Sequence, residues 1–254
     1  MIQSDKARAF AALHVPGRPL ILFNAWDAGT ARAVAAAGAT AIATGSWSVA
    51  AAHGFDDAER LPLDLAIANA ARIAAAVDLP VTIDFEGGYA VDPGRLAEHM
   101  GLLLATGAVG CNMEDRVVSG AGLHPVHAQT RRIEALRRTV DRAGIPAFIN
   151  ARTDIFLEAP PEAHDGAAVG HALERARAYA DAGANGFFVP GLADERLLAR
   201  VCDRSPLPVN AMMFAGMPDR ARLAELGVAR ISHGPGPYRQ AMAALTAAAR
   251  AALA

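Results

Sequence analysis

Asp84 and Glu86 stand two residues apart where an apolar run, Val81–Asp84, gives out, and Glu114 closes a similar run, Gly110–Glu114. Residues i and i+2 of a strand point to one side, so the spacing predicts that Asp84 and Glu86 share a face. Three carboxylates gathered at one place repel unless a cation lies among them. Oxygen donors with few nitrogen or sulfur competitors suit Mg²⁺, or Mn²⁺, which keeps several waters and takes carboxylates singly. The plainer alternative is a set of solvated or arginine-paired loop acids. Gly87 and Gly88 would let the backbone come close, and metal binding at Asp84, Glu86 and Glu114 is the expectation.

Arg152 ends another apolar run, and its planar fork suits a substrate carboxylate. A structural ion pair to Glu114 or Asp154 is compatible with that role. Ser46, with Trp47 and the backbone around them, could hold an anionic oxygen or be an ordinary polar turn. Asn210 and Met212 close a seventh run, and Asn210 is a further substrate-binding candidate. Asp57 lies in a long connection, as a catalytic acid or a helix cap. His124 and His127 are loop histidines that could be catalytic or merely solvated. His233-Gly-Pro-Gly reads as a turn into the last helix rather than a phosphate site, and Cys111 as a small core residue.

These residues sit at the ends of β-leaning runs, which lie near 20–24, 41–44, 81–84, 110–114, 147–151, 186–189, 209–212 and 230–232. Ala/Leu/Arg-rich helical stretches separate them, near 27–37, 62–77, 92–106, 127–143, 171–182, 193–204 and 218–226, with a last one near 237–253. Gly38, Gly107, Gly144, Gly183 and Gly227 each follow a helical stretch, where a left-handed cap would end it. Eight strands alternating with helices predict a (β/α)8 TIM barrel, parallel and buried on both strand faces. An open doubly wound sheet would usually carry a glycine-rich phosphate turn after its first strand, and Asn24-Ala25-Trp26-Asp27 is not one. In a barrel the strand ends and the loops after them hold the chemistry. Acids crowd the ends of strands three to five, and the opposite side is mostly neutral.

The chain has 254 residues, 53% hydrophobic and 20% charged, with a formal net charge of −2. That length fits a single barrel domain over 1–254. The near-neutral balance argues against a nucleic-acid or membrane partner. The N-terminus lacks a signal-peptide layout, and the two cysteines form no disulfide framework, which together predict a cytoplasmic protein. Lys6 is the sole lysine and precedes the first strand, so Schiff-base and pyridoxal chemistry are set aside.

Taken in order, Asn24-Ala25-Trp26-Asp27, Ala43-Thr44-Gly45-Ser46, Gly54-Phe55-Asp56-Asp57, Asp84-Phe85-Glu86-Gly87-Gly88-Tyr89, Asn112-Met113-Glu114-Asp115, Ile149-Asn150-Ala151-Arg152-Thr153-Asp154 and Phe188-Val189-Pro190-Gly191 resemble the isocitrate lyase / phosphoenolpyruvate mutase superfamily, in its small, poorly characterised bacterial branch. The resemblance runs from about residue 18 to about 240. It implies a barrel that binds Mg²⁺ and a 2-oxo acid or its enolate. Asp84, Glu86 and Glu114 match the family's metal-site acids, Arg152 its substrate-carboxylate arginine, Ser46 its oxygen-holding loop, and Asp57 the acid used by the mutases in phosphoryl transfer. It also implies a homodimer or homotetramer, often with the last helix exchanged between barrels.

The loop after the fourth strand departs from the family: Arg116 to His124 contains neither the lysine and cysteine of the lyases nor the lysine and asparagine of the mutases. Ser48, preceded by Trp47, replaces a usual glycine. The expected function is therefore a Mg²⁺-dependent C–C lyase or decarboxylase of a simple 2-oxo acid such as oxaloacetate, with weak action on isocitrate and with Asp57 or His124 as acid/base. The alternatives are a P–C mutase or hydrolase, and a 2-oxo acid binding protein without turnover.

Overall fold

The computed structural model describes residues 1–254. Helix α1 (Gln3–Ala12) precedes β1 (Leu20–Leu22), α2 (Ala28–Ala36), β2 (Ile42–Ala43), α3 (Ser46–Ala52) and α4 (Leu63–Ala76). There follow β3 (Val81–Asp84), α5 (Pro93–Ala105), β4 (Gly110–Glu114), α6 (Val126–Ala143), β5 (Phe148–Arg152), α7 (Ile155–Glu158) and α8 (Gly166–Asp181). The chain ends with β6 (Gly186–Phe188), α9 (Glu195–Arg204), β7 (Val209–Met212), α10 (Arg220–Glu225), β8 (Arg230–Ser232) and α11 (Gly236–Leu253).

All ladders are parallel, in the order β1-β8-β7-β6-β5-β4-β3-β2. Between β1 and β2 the ring is joined by one parallel bridge, Ala25 to Thr44, where Ala25 N–H donates to the Ala43 carbonyl at 2.8 Å. This is the expected eight-stranded α/β barrel. The register aligns Asp84 with Asn112 and Asn112 with Asn150, and sets Glu114 beside Arg152. Strand pairing thus brings residues from three separate runs to one end.

Two apolar regions hold the barrel. The larger, built around Ile83, Met100, Ile149 and Phe187, packs the strands against the surrounding helices. The smaller closes the N-terminal end of the strands, where Ala7 and Phe10 of α1 pack with Leu22, Val109 and Phe148. The Gln3 amide fastens α1 there, donating to the carbonyls of Leu104 and Ala108 at 2.8 Å each.

All five expected glycine stops have left-handed φ. Gly183, at +95°, has the least room, since a Cβ would lie 2.6 Å from Arg137 Cγ. Four elements differ from the expected ones. Helices α1, α3 and α7 are additional, and α8 begins at Gly166, capped by Asp165, rather than near 171.

Candidate active site

Strand β3 ends at Asp84, and Thr44 Oγ1 accepts its N–H at 2.9 Å. The chain then turns. Gly88 N–H donates to the Phe85 carbonyl at 2.8 Å, and Glu86, Gly88 and Tyr89 have φ of 50°, 76° and 58°. Glu86 therefore lies beyond the strand, and it does not share a strand face with Asp84 as the spacing had suggested. A side chain at Gly88 is excluded, since a Cβ there would sit 2.2 Å from Leu96 Cδ1.

A second strained loop clasps this turn. Ala58 and Glu59 also have positive φ, at 69° and 57°. Glu59 N–H donates to Glu86 Oε2 and Tyr89 N–H to Glu59 Oε1, each at 2.7 Å. Non-glycine residues held this way cost of order 1–3 kcal/mol each, and such strain concentrates at functional sites.

The Asp84 carboxylate is fixed from both sides. Ser46 donates to Oδ2 from its N–H at 3.0 Å and its hydroxyl at 2.9 Å, while Asn112 Nδ2 donates to Oδ1 at 3.1 Å. Ser46 thus turns its donors onto Asp84 rather than leaving them free for an anion. Arg152 reaches Glu114 at 3.0 Å and grips Asp154 with Nε at 2.5 Å and Nη2 at 2.8 Å. Burial disfavours the Arg152 charge, but Glu114 and Asp154 outweigh it and raise its pKa. Burial, then Asp57, pushes Glu86 up to about 8. Burial likewise pushes Glu114 up to about 8, against the pull of Arg152. Asp57 is raised too, by burial and by Asp84.

Ser46, Trp47, Asp57, Asp84, Asn112 and Arg152 all line one cavity at the C-terminal mouth of the barrel. Below it lies a buried polar layer absent from the sequence expectations. Asn150 donates to Asn112 Oδ1 at 2.9 Å and to Asn210 Oδ1 at 3.0 Å, and Arg230 donates to Asn112 Oδ1 at 3.1 Å. Asn210 belongs to this layer, one level under the cavity, and does not line it. His124 lines a neighbouring cavity with Glu59 and Arg132. Its backbone is tied down, donating to the Asp115 carbonyl at 2.7 Å and accepting from Arg175 at 3.0 Å. Cys111 is fully buried and its thiol is pushed up to about 12 by burial, as a core residue should be.

Sequence reading also missed Glu59 and the buried Asp115, which accepts from Tyr179 at 2.8 Å and Arg175 at 3.0 Å. An asparagine inside an apolar run was the available signal for Asn112 and Asn150.

No three histidine, cysteine, aspartate or glutamate side chains meet in the geometry of a metal cage. Asp84, Glu86 and Glu114 do not converge on one point in this geometry. Their all-oxygen chemistry still fits Mg²⁺, which is commonly held by one or two carboxylates with water completing its shell.

The phosphoenolpyruvate phosphomutase family model matches residues 10–253. The chain belongs to that family. An uncharacterized protein of Mycobacterium tuberculosis is 35% identical over 243 residues, spanning 96% of this chain and 88% of its own length. The 2-methylisocitrate lyase of Salmonella typhimurium is 28% identical over 234 residues, spanning 87% and 77%. A crystal structure from Burkholderia cenocepacia J2315, provisionally described as a phosphonomutase, superposes with a TM-score of 0.96 at 51% identity, over 98% of this chain and 99% of that one. A phosphonopyruvate hydrolase solved with oxalate and Mg²⁺ shares the fold, with a TM-score of 0.84 at 20% identity over 97% and 85%. The family match and the lyase relative place the chain in the isocitrate lyase / phosphoenolpyruvate mutase superfamily.

Proposed function

We propose that this chain is a Mg²⁺- or Mn²⁺-dependent enzyme that breaks a C–C bond next to the 2-oxo acid unit of its substrate. The observation that carries this reading is one cavity wall on which Asp84 and Arg152 stand together, Asp84 held by Asn112 and Arg152 paired with Glu114 of the same strand β4. Asp84 would hold the metal, with Glu86 and Glu114 reaching it through water. A bound divalent ion would supply Lewis-acid stabilisation of charge on the 2-oxo acid's oxygens. Arg152 would fix the substrate carboxylate, and Ser46 would keep Asp84 from rotating. Asp57, at the cavity with its pKa raised, is the candidate to carry a proton to or from the departing carbon.

Asp57 also supports a second reading, P–C chemistry with Asp57 taking the phosphoryl group, and the phosphonomutase description of the 51%-identical relative favours it. Calorimetric titration with oxalate, with and without Mg²⁺, tests the anchor. Turnover assays on 2-oxo acids and phosphonopyruvate then separate the readings. We expect Mg²⁺-dependent oxalate binding and 2-oxo acid cleavage. Turnover of phosphonopyruvate alone would favour the second reading, binding without any turnover would make the chain a holder of 2-oxo acids, and absence of oxalate binding would refute the anchor.

A further inference from the structure

Arg230 is a cation buried inside the barrel, 1% exposed. Arg152 and Arg175 grip Glu114 and Asp115, but Arg230 has no carboxylate partner. Its Nη2 donates to Asn112 Oδ1 at 3.1 Å, while Nε and Nη1 meet no protein acceptor. Strands β8 and β4 stand four places apart in a ring of eight, so this side chain crosses the interior from one wall to the opposite one. On its lower side the Phe10 ring of α1 lies 6.0 Å from the guanidinium carbon. On its upper side, through Asn112, lies Asp84.

A buried charge without a counter-charge is expensive, and an apolar side chain of similar size would avoid that cost. Burial lowers the Arg230 pKa to about 10, against the opposing pull of Asp84, so the group stays charged at neutral pH. What an arginine supplies here, and an apolar residue would not, is direction. A guanidinium donates and never accepts. Asn112 Oδ1 must therefore face Arg230, which turns Asn112 Nδ2 toward Asp84 Oδ1, 3.1 Å away. Turned over, the amide would set donor against donor at Arg230 and oxygen against oxygen at Asp84. Asn150 also donates to Asn112 Oδ1, at 2.9 Å, but an amide carries both kinds of group and could turn with its neighbour. Arg230 cannot.

We propose that Arg230 is a positioning residue of the site: it locks the Asn112 amide in one orientation, and the locked amide holds the Asp84 carboxylate in place. This rests on the reading of Asp84 as the metal-holding acid and adds a residue from outside the cavity lining, on the opposite wall of the barrel.

The test is a double-mutant cycle of Arg230→Met and Asn112→Ala, read by calorimetric titration of the Mg²⁺-loaded proteins with oxalate and by urea unfolding. In the otherwise unaltered chain, Arg230→Met should weaken oxalate binding about tenfold, the effect of one hydrogen bond to a charged group. Its urea stability should be equal or higher, because a lone buried charge is gone. In the Asn112→Ala background the same substitution should change affinity by less than about twofold. The side-chain amide signals of Asn112 in a nitrogen–proton correlation spectrum, identified by their absence from Asn112→Ala, should shift in Arg230→Met without any ligand. Unchanged affinity in Arg230→Met makes the arginine a packing residue and overturns the proposal. Equal weakening in both backgrounds also overturns it, since the charge would then act on the bound ions directly. Failure of oxalate to bind the unaltered chain overturns the metal reading of Asp84, and the Asn112 signals then decide: if they stay in place in Arg230→Met, the positioning role falls too. Should Arg230→Met not fold, Arg230→Gln, which removes the charge and adds an acceptor, takes its place with the same outcomes.

Discussion

Both oxygens of the Asp84 carboxylate accept from protein donors, so its position is set before any ligand arrives. Such preorganisation makes the charge, rather than the shape, the property a ligand reads. Asp84→Asn should therefore weaken Mg²⁺-dependent oxalate binding by about 100-fold, near 3 kcal/mol, with the fold retained by circular dichroism. Undiminished affinity in that variant would remove Asp84 from the anchor. Arg152 has a different signature. It is the ion-pair partner of two buried acids, and removing one member of a buried pair leaves charge uncompensated. Arg152→Met should cost about 3–5 kcal/mol in urea unfolding as well as ligand affinity. Asp84, Glu114 and Arg152 were legible because each charge closes an apolar run. Glu59 was not, because its part depends on two loops in left-handed backbone meeting across 27 residues. Asn210 looked like a site residue by the same strand-end logic, but its amide is absorbed by Asn150 and the neighbouring backbone.

Elements show the same division. Strands were readable because parallel strands covered on both faces are short continuous apolar runs bounded by glycine and proline. Helix α3 was not, because only Thr44 and Gly45 separate it from β2 and its seven residues are too few to show a helical period. Helix α1 was missed because half of its residues are polar or charged and only Ala7 and Phe10 are buried, which leaves no apolar stripe to read. The plug it forms has a consequence for pH. His14, just after α1, stacks on Phe148 at 3.9 Å and donates from Nδ1 to the Phe10 carbonyl at 2.9 Å. Its Nε2 is buried without a partner. Burial, and secondarily Arg230, lower its pKa from 6.5 to about 3. The fold thus holds the neutral ring, while the unfolded chain takes up a proton below about 6.5. Its contribution is complete above that pH and is lost as pH falls toward 3. Near pH 4.5 the loss is about 2–3 kcal/mol. His14→Leu should lower stability at pH 7 but shrink the drop between pH 7 and pH 4.5 by about that amount in urea titrations. An unchanged drop would mean that His14 is protonated in the fold.

At the scale of the whole molecule, one helix and one groove are left over. In a closed barrel each helix covers the outside of the strands beside it, so a helix after β8 would be expected to cover β1. Here Tyr238 and Ala241 pack near Trp26 and Val49, and beyond Met242 helix α11 is exposed. Leu245 is 61% exposed and Leu253 87%. Meanwhile an open groove runs along β1 and α2, lined by Leu13, Leu20, Ile21, Phe23 and Val34 among others. Phe23, at the end of β1, is 41% exposed. An uncovered apolar helix and an uncovered apolar groove on one chain are satisfied together when a second copy supplies the helix. We infer that copies assemble by placing α11 of each against the other. Sedimentation at micromolar concentration should give a dimer or a larger even-numbered species, and a chain shortened to residue 240 should sediment as a monomer. Leu245→Glu should weaken assembly without removing the helix, because it sets a charge on the apolar face and leaves the Trp26 contacts of Tyr238 in place. A full-length chain that stays monomeric at that concentration would show that the groove and α11 are not each other's complement.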